Sequence, residues 1–410
     1  MTSKRKVPAG EAHEWEFKAR FRGRAFGWRS QPAITRIKQA VTEIKKVAKK
    51  DPVVAAEGAV GFLERVSAAI EQVDGSSGSI GTAVNNAIEE LVPIIASAPA
   101  DPKTREHWLE RLFEAHAADL IPYIERLADY WGELCASKEL ASVWADRLIG
   151  STRMALSPDR EVGHIFHGTS ACLSALYRAE RYDELIALLD VERTLWDYKQ
   201  WAAKALAAQG KKAEALRYAE SCRSPWASDL AIDRLCEDVL LSSGMLDEAY
   251  ARYGLRANRA GTYLATFRAV TKKYPHKPAS EILGDLVKTT PGDEGKWFAA
   301  AKDAGLYDEA LALASRTPCD PKTLARAARD CAEKQPAFAV GAGLLSLYWL
   351  VQGYGYEITG ADVWDAYRAT LAAAERQGSS AEVKERVRKL VAAEQAGGFV
   401  KKVLGRELGL

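Results

Sequence analysis

Apolar residues along this chain recur at i, i+3, i+4 and i+7 and over no long run alternate with polar ones, the spacing that lays one apolar stripe along a helix. Helices are predicted to start near Gln31, Pro52, Gly81, Asp101, Pro122 and Ser137, each beside a Pro, Gly, Ser or Asp suited to a helix start. Pro32, Pro52, Pro102 and Pro122 fit first-turn positions, where the missing N–H has no intrahelical partner to lose. Long amphipathic stretches such as 52–73 and 104–118 follow, and almost no strand is expected.

In the second half the pattern becomes periodic. A turn residue, an acidic position and an apolar helix recur as Arg181-Tyr182-Asp183-Glu184-Leu185, Lys211-Lys212-Ala213-Glu214-Ala215, Met245-Leu246-Asp247-Glu248-Ala249, more weakly Pro278-Ala279-Ser280-Glu281-Ile282, and Leu306-Tyr307-Asp308-Glu309-Ala310. The glutamates are 30, 34, 33 and 28 residues apart, the length of one helix-turn-helix unit. Gly210, Gly244 and Gly305 stand where a first helix should end in a left-handed cap, and the acids open the next helix at the positive end of its dipole. Ala215, Ala249 and Ala310 leave room for close helix approach. A pair this short cannot bury its own apolar face, so such units stack. The expected fold is all-α, an α-solenoid of stacked antiparallel helix pairs. It divides into a basic aromatic arm (1–30), an irregular helical-repeat region (31–155), a regular solenoid (156–350) and a C-terminal helical cap (351–410), with 151–164 as the boundary between the halves.

The repeats over roughly 170–350 resemble tetratricopeptide repeats, without their Trp, Gly, Tyr and Pro signature. That resemblance implies a partner-binding surface and carries no catalytic residue across. Through Arg24-Ala25-Phe26-Gly27-Trp28-Arg29-Ser30, Asp129-Tyr130-Trp131-Gly132-Glu133-Leu134-Cys135-Ala136 and the last fourteen residues from Gly397 to Leu410, the chain also resembles bacterial helical proteins classed as a domain of unknown function. This second resemblance implies a soluble bacterial helical protein and supplies no activity.

Composition agrees with a large helical core, at 48% hydrophobic residues. The six cysteines (135, 172, 222, 236, 319, 331) form no CxxC pair, which suits a reduced cytoplasmic chain with most of them buried. No apolar stretch follows the charged N-terminus as a secretory signal requires, and the most apolar segment, 338–356, is broken by Gly341, Gly343, Gln352, Gly353 and Gly355. No membrane partner is expected.

Charge is where a functional reading begins. The chain carries 57 Lys+Arg against 55 Asp+Glu, yet residues 1–50 hold fourteen basic and four acidic side chains. In 17–29 the basic Lys18, Arg20, Arg22, Arg24 and Arg29 interleave with Phe17, Phe21, Phe26 and Trp28. Such a segment can pair with phosphates and stack on unpaired bases. Equally, the aromatics can anchor the arm on the first helices while its arginines pair with the acidic body.

Catalytic patterns are sparse. His164 and His167 share a helix face with Cys172 nearby, but zinc needs three or four ligands and no fourth is spaced for it. The loop 74–82 has its glycines as GxxGxxG and lacks the Gly-Lys-Ser/Thr ending of a P-loop, so it reads as a turn with Ser79 or Thr82 capping the next helix. No cofactor is expected. Trp196, Tyr198, Trp201 and Trp226, with Trp297 and the irregular Tyr354-Gly355-Tyr356, are candidates for a partner groove, since Trp, Tyr and Arg dominate interface energetics. The preferred expectation is a non-enzymatic scaffold for a protein or peptide, with an Arg/Tyr/Trp patch and no perturbed acid–base cluster. The alternative is nucleic-acid association through the arm.

Overall fold

The computed structural model describes residues 13–157, 166–190, 195–225, 227–395 and 397–410. Every regular element among them is helical, as the apolar periodicity requires. The chain forms two compact units, Met1–Val239 and Leu240–Leu410, so the break lies within the helix Asp229–Leu241 and inside the stretch expected to be one regular solenoid.

In the first unit the helices are α1 (Glu16–Arg20), α2 (Ser30–Ala48), α3 (Pro52–Ile70), α4 (Ser79–Ser97), α5 (Pro102–Ala117), α6 (Trp131–Leu134), α7 (Lys138–Leu156), α8 (Thr169–Arg178), α9 (Tyr182–Leu189), α10 (Trp196–Ala208), α11 (Lys212–Ser221) and α12 (Asp229–Leu241). Each packs on its near neighbours in sequence: α2 on α3 and α4, α3 on α5, α7 on α8, α8 on α10, and α9 and α11 on α10. Nearest-neighbour stacking of this kind is the organisation of a solenoid. The second unit contains α13 (Leu246–Ala249), α14 (Leu255–Ala257), α15 (Tyr263–Lys273), α16 (Ala279–Lys288), α17 (Phe298–Asp303), α18 (Tyr307–Arg316), α19 (Pro321–Cys331), α20 (Pro336–Val351), α21 (Gly360–Arg376), α22 (Ser380–Ala392) and α23 (Phe399–Leu408), again packed in sequence order.

Helix starts follow local chemistry. Asp51 and Asp101 each cap a helix whose first residue is proline, accepting from Val53 and Val54 N–H and from Lys103 and Thr104 N–H. Asp320 caps α19 the same way through Thr323 N–H. Two expectations need correction. No α-helix starts at Pro122: a 3₁₀ segment, Glu125–Tyr130, leads into the short α6 instead. Neither Ser79 nor Thr82 caps α4; Gly78 holds the cap position in the left-handed conformation, and the Thr82 hydroxyl donates back to its carbonyl.

The repeated turn is as the sequence predicts. Gly210, Gly244 and Gly305 have φ of 81°, 73° and 74°. After each, the next N–H reaches back to close the same cap: Lys211 to Leu206 O, Met245 to Leu240 O, and Leu306 to Ala301 O. The glutamate four residues beyond each glycine lies in the first turn of α11, α13 or α18, and Ala215, Ala249 and Ala310 behind it are buried. Glu180 (φ 59°) builds the identical turn without glycine, Arg181 N–H reaching Leu176 O. A further copy occurs at Gly378 (φ 71°), where Ser379 N–H reaches Ala374 O and Glu382 opens α22. Gly305→Ala is therefore expected to lose roughly 1 kcal/mol to left-handed strain, and Glu180→Gly to gain a similar amount. Urea titration of both variants checks the opposite signs.

The described part of the N-terminal arm, from His13, is docked. Trp15, Phe17 and Phe21 are buried, with Phe17 and Phe21 edge-on to Phe62 of α3. A Cβ on Gly58 would fall 2.1 Å from the Trp15 ring, so α3 keeps glycine where the indole lies. Main-chain bonds fix the remainder: Arg24 N–H to Ala68 O, Phe26 N–H to Ala69 O, and Asp74 N–H to Trp28 O.

Candidate functional site

Three segments distant in sequence converge in the first unit on a cleft of about 490 Å³. The 3₁₀ turn and α6 contribute Arg126, Asp129, Tyr130, Gly132 and Glu133; α8 contributes Ser174, Tyr177 and Arg178; α10 contributes Gln200, Trp201 and Lys204. Their approach is set by Gly132, whose N–H donates to Ser174 Oγ at 2.9 Å, while that hydroxyl donates to Asp129 O at 2.8 Å. A Cβ at Gly132 would lie 2.4 Å from the Ser174 carbonyl oxygen, so only glycine allows α6 and α8 to come this close.

One wall is aromatic. Tyr177 and Trp201 have ring centroids 5.7 Å apart, and the Lys204 ammonium sits 4.3 Å from the Trp201 centroid. The Trp201 indole N–H is buried without an acceptor among the described residues. At the rim, Arg126 pairs with Glu89 at 2.9 Å and Arg178 donates to Ala136 O at 2.9 Å. Arg178 has no carboxylate partner among the described residues.

Asp129 and Lys204 give the cleft its electrostatic character. They attract one another but are not in ion-pair contact. Burial raises the Asp129 carboxyl above the usual carboxylate range, against the pull of Lys204 and a hydrogen bond from Ser170. Burial also lowers the Lys204 ammonium, against the attraction of Asp129 and Asp238. Desolvation outweighs attraction for both, so each has an unmet demand for polar company. Contrary to expectation, the Arg/Tyr/Trp patch thus coincides with a perturbed acid–base pair.

Of the predicted partner-binding residues, the cleft takes up only Trp201. Trp196 is buried, because α10 turns it into the core, and it does not line the cleft. Tyr198 is half-buried and also outside the lining, and Trp226 lies outside the described residues. Trp297 and Phe298 are core residues, whereas Tyr356 is exposed. In the arm, Trp28 is 72% exposed, but Phe17 and Phe21 are committed to the core. Arg20 pairs with Glu16 on its own helix and Arg24 with Glu71 of the body. Lys18, Arg22 and Arg29 are exposed with no carboxylate within 4 Å among the described residues. Among its described residues the arm retains one exposed aromatic ring and three cations without a carboxylate partner.

His164 lies outside the described residues. His167 faces His116 with ring centroids 6.4 Å apart, and Cys172 is buried. Among the described residues, no three His, Cys, Asp or Glu side chains are grouped to hold a metal ion. His116 is buried, and burial foremost, then His167, holds its pKa below 6.5, opposed by a hydrogen bond to Glu125 and the charges of Asp119 and Glu125. Below pH 6.5 the unfolded chain takes up this proton first, so stability is expected to fall from there down to the folded pKa. Thermal melts against pH should show this loss, and His116→Gln should flatten it. In the 74–82 loop, Asp74 accepts from Ser76 N–H and its carboxylate is held below its usual range, leaving an anion where a phosphate would need donors.

Among the described residues no helix is long and apolar enough to cross a membrane. No protein-family model matches the chain, and no curated protein matches it significantly.

Proposed function

We propose that the protein is a non-enzymatic interaction scaffold that takes a peptide or protein partner in the cleft between α6, α8 and α10. One observation carries the reading: the stacked helices gather Tyr130, Tyr177, Trp201, Arg126 and Arg178 along a single cleft. Tyr, Trp and Arg are the side chains that anchor interfaces. The resemblance to tetratricopeptide repeats supports the same conclusion.

Selection of a random displayed peptide library against the full chain tests it. Enriched peptides should lose roughly tenfold or more in affinity for an Arg178→Glu/Lys204→Glu variant that melts like the parent. Peptides bound equally by both proteins would place the interaction elsewhere.

The nucleic-acid alternative rests on exposed Trp28 beside Lys18, Arg22 and Arg29. Deleting the arm would strip Trp15, Phe17 and Phe21 from the core, so the informative variant is Arg22→Glu/Trp28→Ala/Arg29→Glu. Anisotropy of labelled single-stranded RNA across a salt series should show salt-steep binding that this variant abolishes if the arm is the contact. The absence of binding at low salt removes the alternative.

A further inference from the structure

Half of the basic surplus of the first fifty residues lies beyond the aromatic arm. It continues along α2, where Lys38, Thr42, Lys45 and Lys49 follow one another at helical spacing and, with Lys46, line a groove of about 640 Å³ against α4. Beside this stripe, Ile34, Ile37, Val41 and Ile44 are buried in the core, and Ile37 and Val41 also line the groove, so the lysines border its apolar bottom on the solvent side. Lys45 pairs with Glu90 of α4 at 2.7 Å. Lys38, Lys46 and Lys49 are exposed and have no carboxylate within 4 Å among the described residues. From α4 the groove receives the small residues Ala83 and Ala87, with Asn86 and Glu90.

Like charges along one stripe repel, and among the described residues Glu90 is the one carboxylate paired with this stripe. The occupant that would offset the others is set by shape as well as sign. A trough between two packed helices whose apolar lining is Ile37, Val41, Ala83 and Ala87 accepts a third helix at ordinary interaxial distance. Lys38 and Lys49 lie about 16 Å apart along the axis, and a second helix has the same rise per residue, so carboxylates spaced as these lysines are would meet them in register. Nucleic acid fits less well. The lining offers no aromatic ring for a base and no arginine fork for a phosphate.

We propose that the groove between α2 and α4 docks an acidic α-helix of a partner protein, its carboxylates seated on Lys38, Lys46 and Lys49. This surface is separate from the aromatic cleft and stands whether or not the cleft binds a peptide.

The test is fluorescence anisotropy with the full chain and a labelled synthetic helix of about five turns, bearing glutamates at the lysine spacing on one face and alanines elsewhere. A peptide of the same composition with its glutamates dispersed around the helix, and a single-stranded RNA of equal charge, serve as comparisons. The striped helix should bind, weaken as salt is raised, and lose roughly tenfold in affinity for Lys38→Glu/Lys49→Glu. Because both lysines are exposed, this variant should melt like the parent, and exchange to Arg at both positions should retain binding. Equal binding of the striped and dispersed peptides, equal binding by parent and variant, or preferred binding of RNA lost in the variant would each overturn the proposal. So would self-association of the chain, seen by sedimentation, that the variant abolishes.

Discussion

Arg105→Met is expected to destabilise the first unit by about 2 to 3 kcal/mol, the range for losing buried charged hydrogen bonds and leaving an acceptor unsatisfied. Arg105 is 7% exposed, yet among the described residues no carboxylate pairs with it. Its guanidinium donates to Ile95 O at 3.0 Å, Ala98 O at 2.5 Å and Leu134 O at 3.3 Å. These are the last carbonyls of α4 and α6, the groups a helix leaves without internal partners, at the negative ends of two helix dipoles. The cation is held by main-chain oxygens, although burial depresses its pKa. Methionine fills similar volume but donates nothing: Ile95 O and Ala98 O keep only the Ala98 and Ala100 N–H groups, and Leu134 O loses its side-chain donor. Arg105→Lys, a compact charge that cannot fork, should fall between. Arg147→Met removes a half-exposed arginine paired with Glu106 and should cost under about 1 kcal/mol. Urea midpoints at unchanged slope separate the three; a loss for Arg105→Met as small as for Arg147→Met would show that the carbonyls find other partners.

Arg105 also shows what the sequence does and does not disclose. It occupies the buried stripe of α5 with Trp108, Leu109, Leu112 and His116, so the periodicity marks it as inward-facing. Its partners come from two other helices and leave no trace in the local pattern. The repeated turn was legible for the opposite reason: a left-handed cap, an acidic first turn and a small buried residue all lie within six positions of one another. The copy at Gly378 has the same Gly-to-Glu spacing but falls outside the period of the others, and spacing alone would have found it. The aromatic arm shows interleaved Arg and Phe equally suited to bases or to a core. Only the docking of Phe17 and Phe21 on Phe62 decides that those rings face inward. The cleft is the least legible part. Trp201 could be singled out as a bulky aromatic, but Asp129, Tyr177 and Lys204 are ordinary helix residues until stacking desolvates them together.

That stacking hinges on Gly132, and Gly132→Ala is expected to lower the stability of the first unit by about 2 to 3 kcal/mol, the usual penalty of overpacking a close contact. The added Cβ would meet the Ser174 carbonyl oxygen at 2.4 Å and Arg178 Cβ at 2.6 Å. A side chain could rotate away, but the Ser174 oxygen belongs to the backbone of α8, so the two helices must separate. Separation also breaks the Gly132 N–H bond to Ser174 Oγ and the hydroxyl's bond to Asp129 O, on which the cleft geometry depends. Gly150→Ala in α7 is the matched comparison: its Cβ would meet nothing within 4 Å, so better helix propensity should gain roughly 0.5 to 1 kcal/mol. Opposite signs for the same chemical change in the same unit would attribute the loss to contact rather than to glycine as such. At temperatures where Gly132→Ala remains folded, it should still bind cleft-selected peptides poorly while the α2 groove keeps its affinity for an acidic helix. Full retention of cleft binding would mean that the approach of α6 to α8 supports the fold without shaping the site.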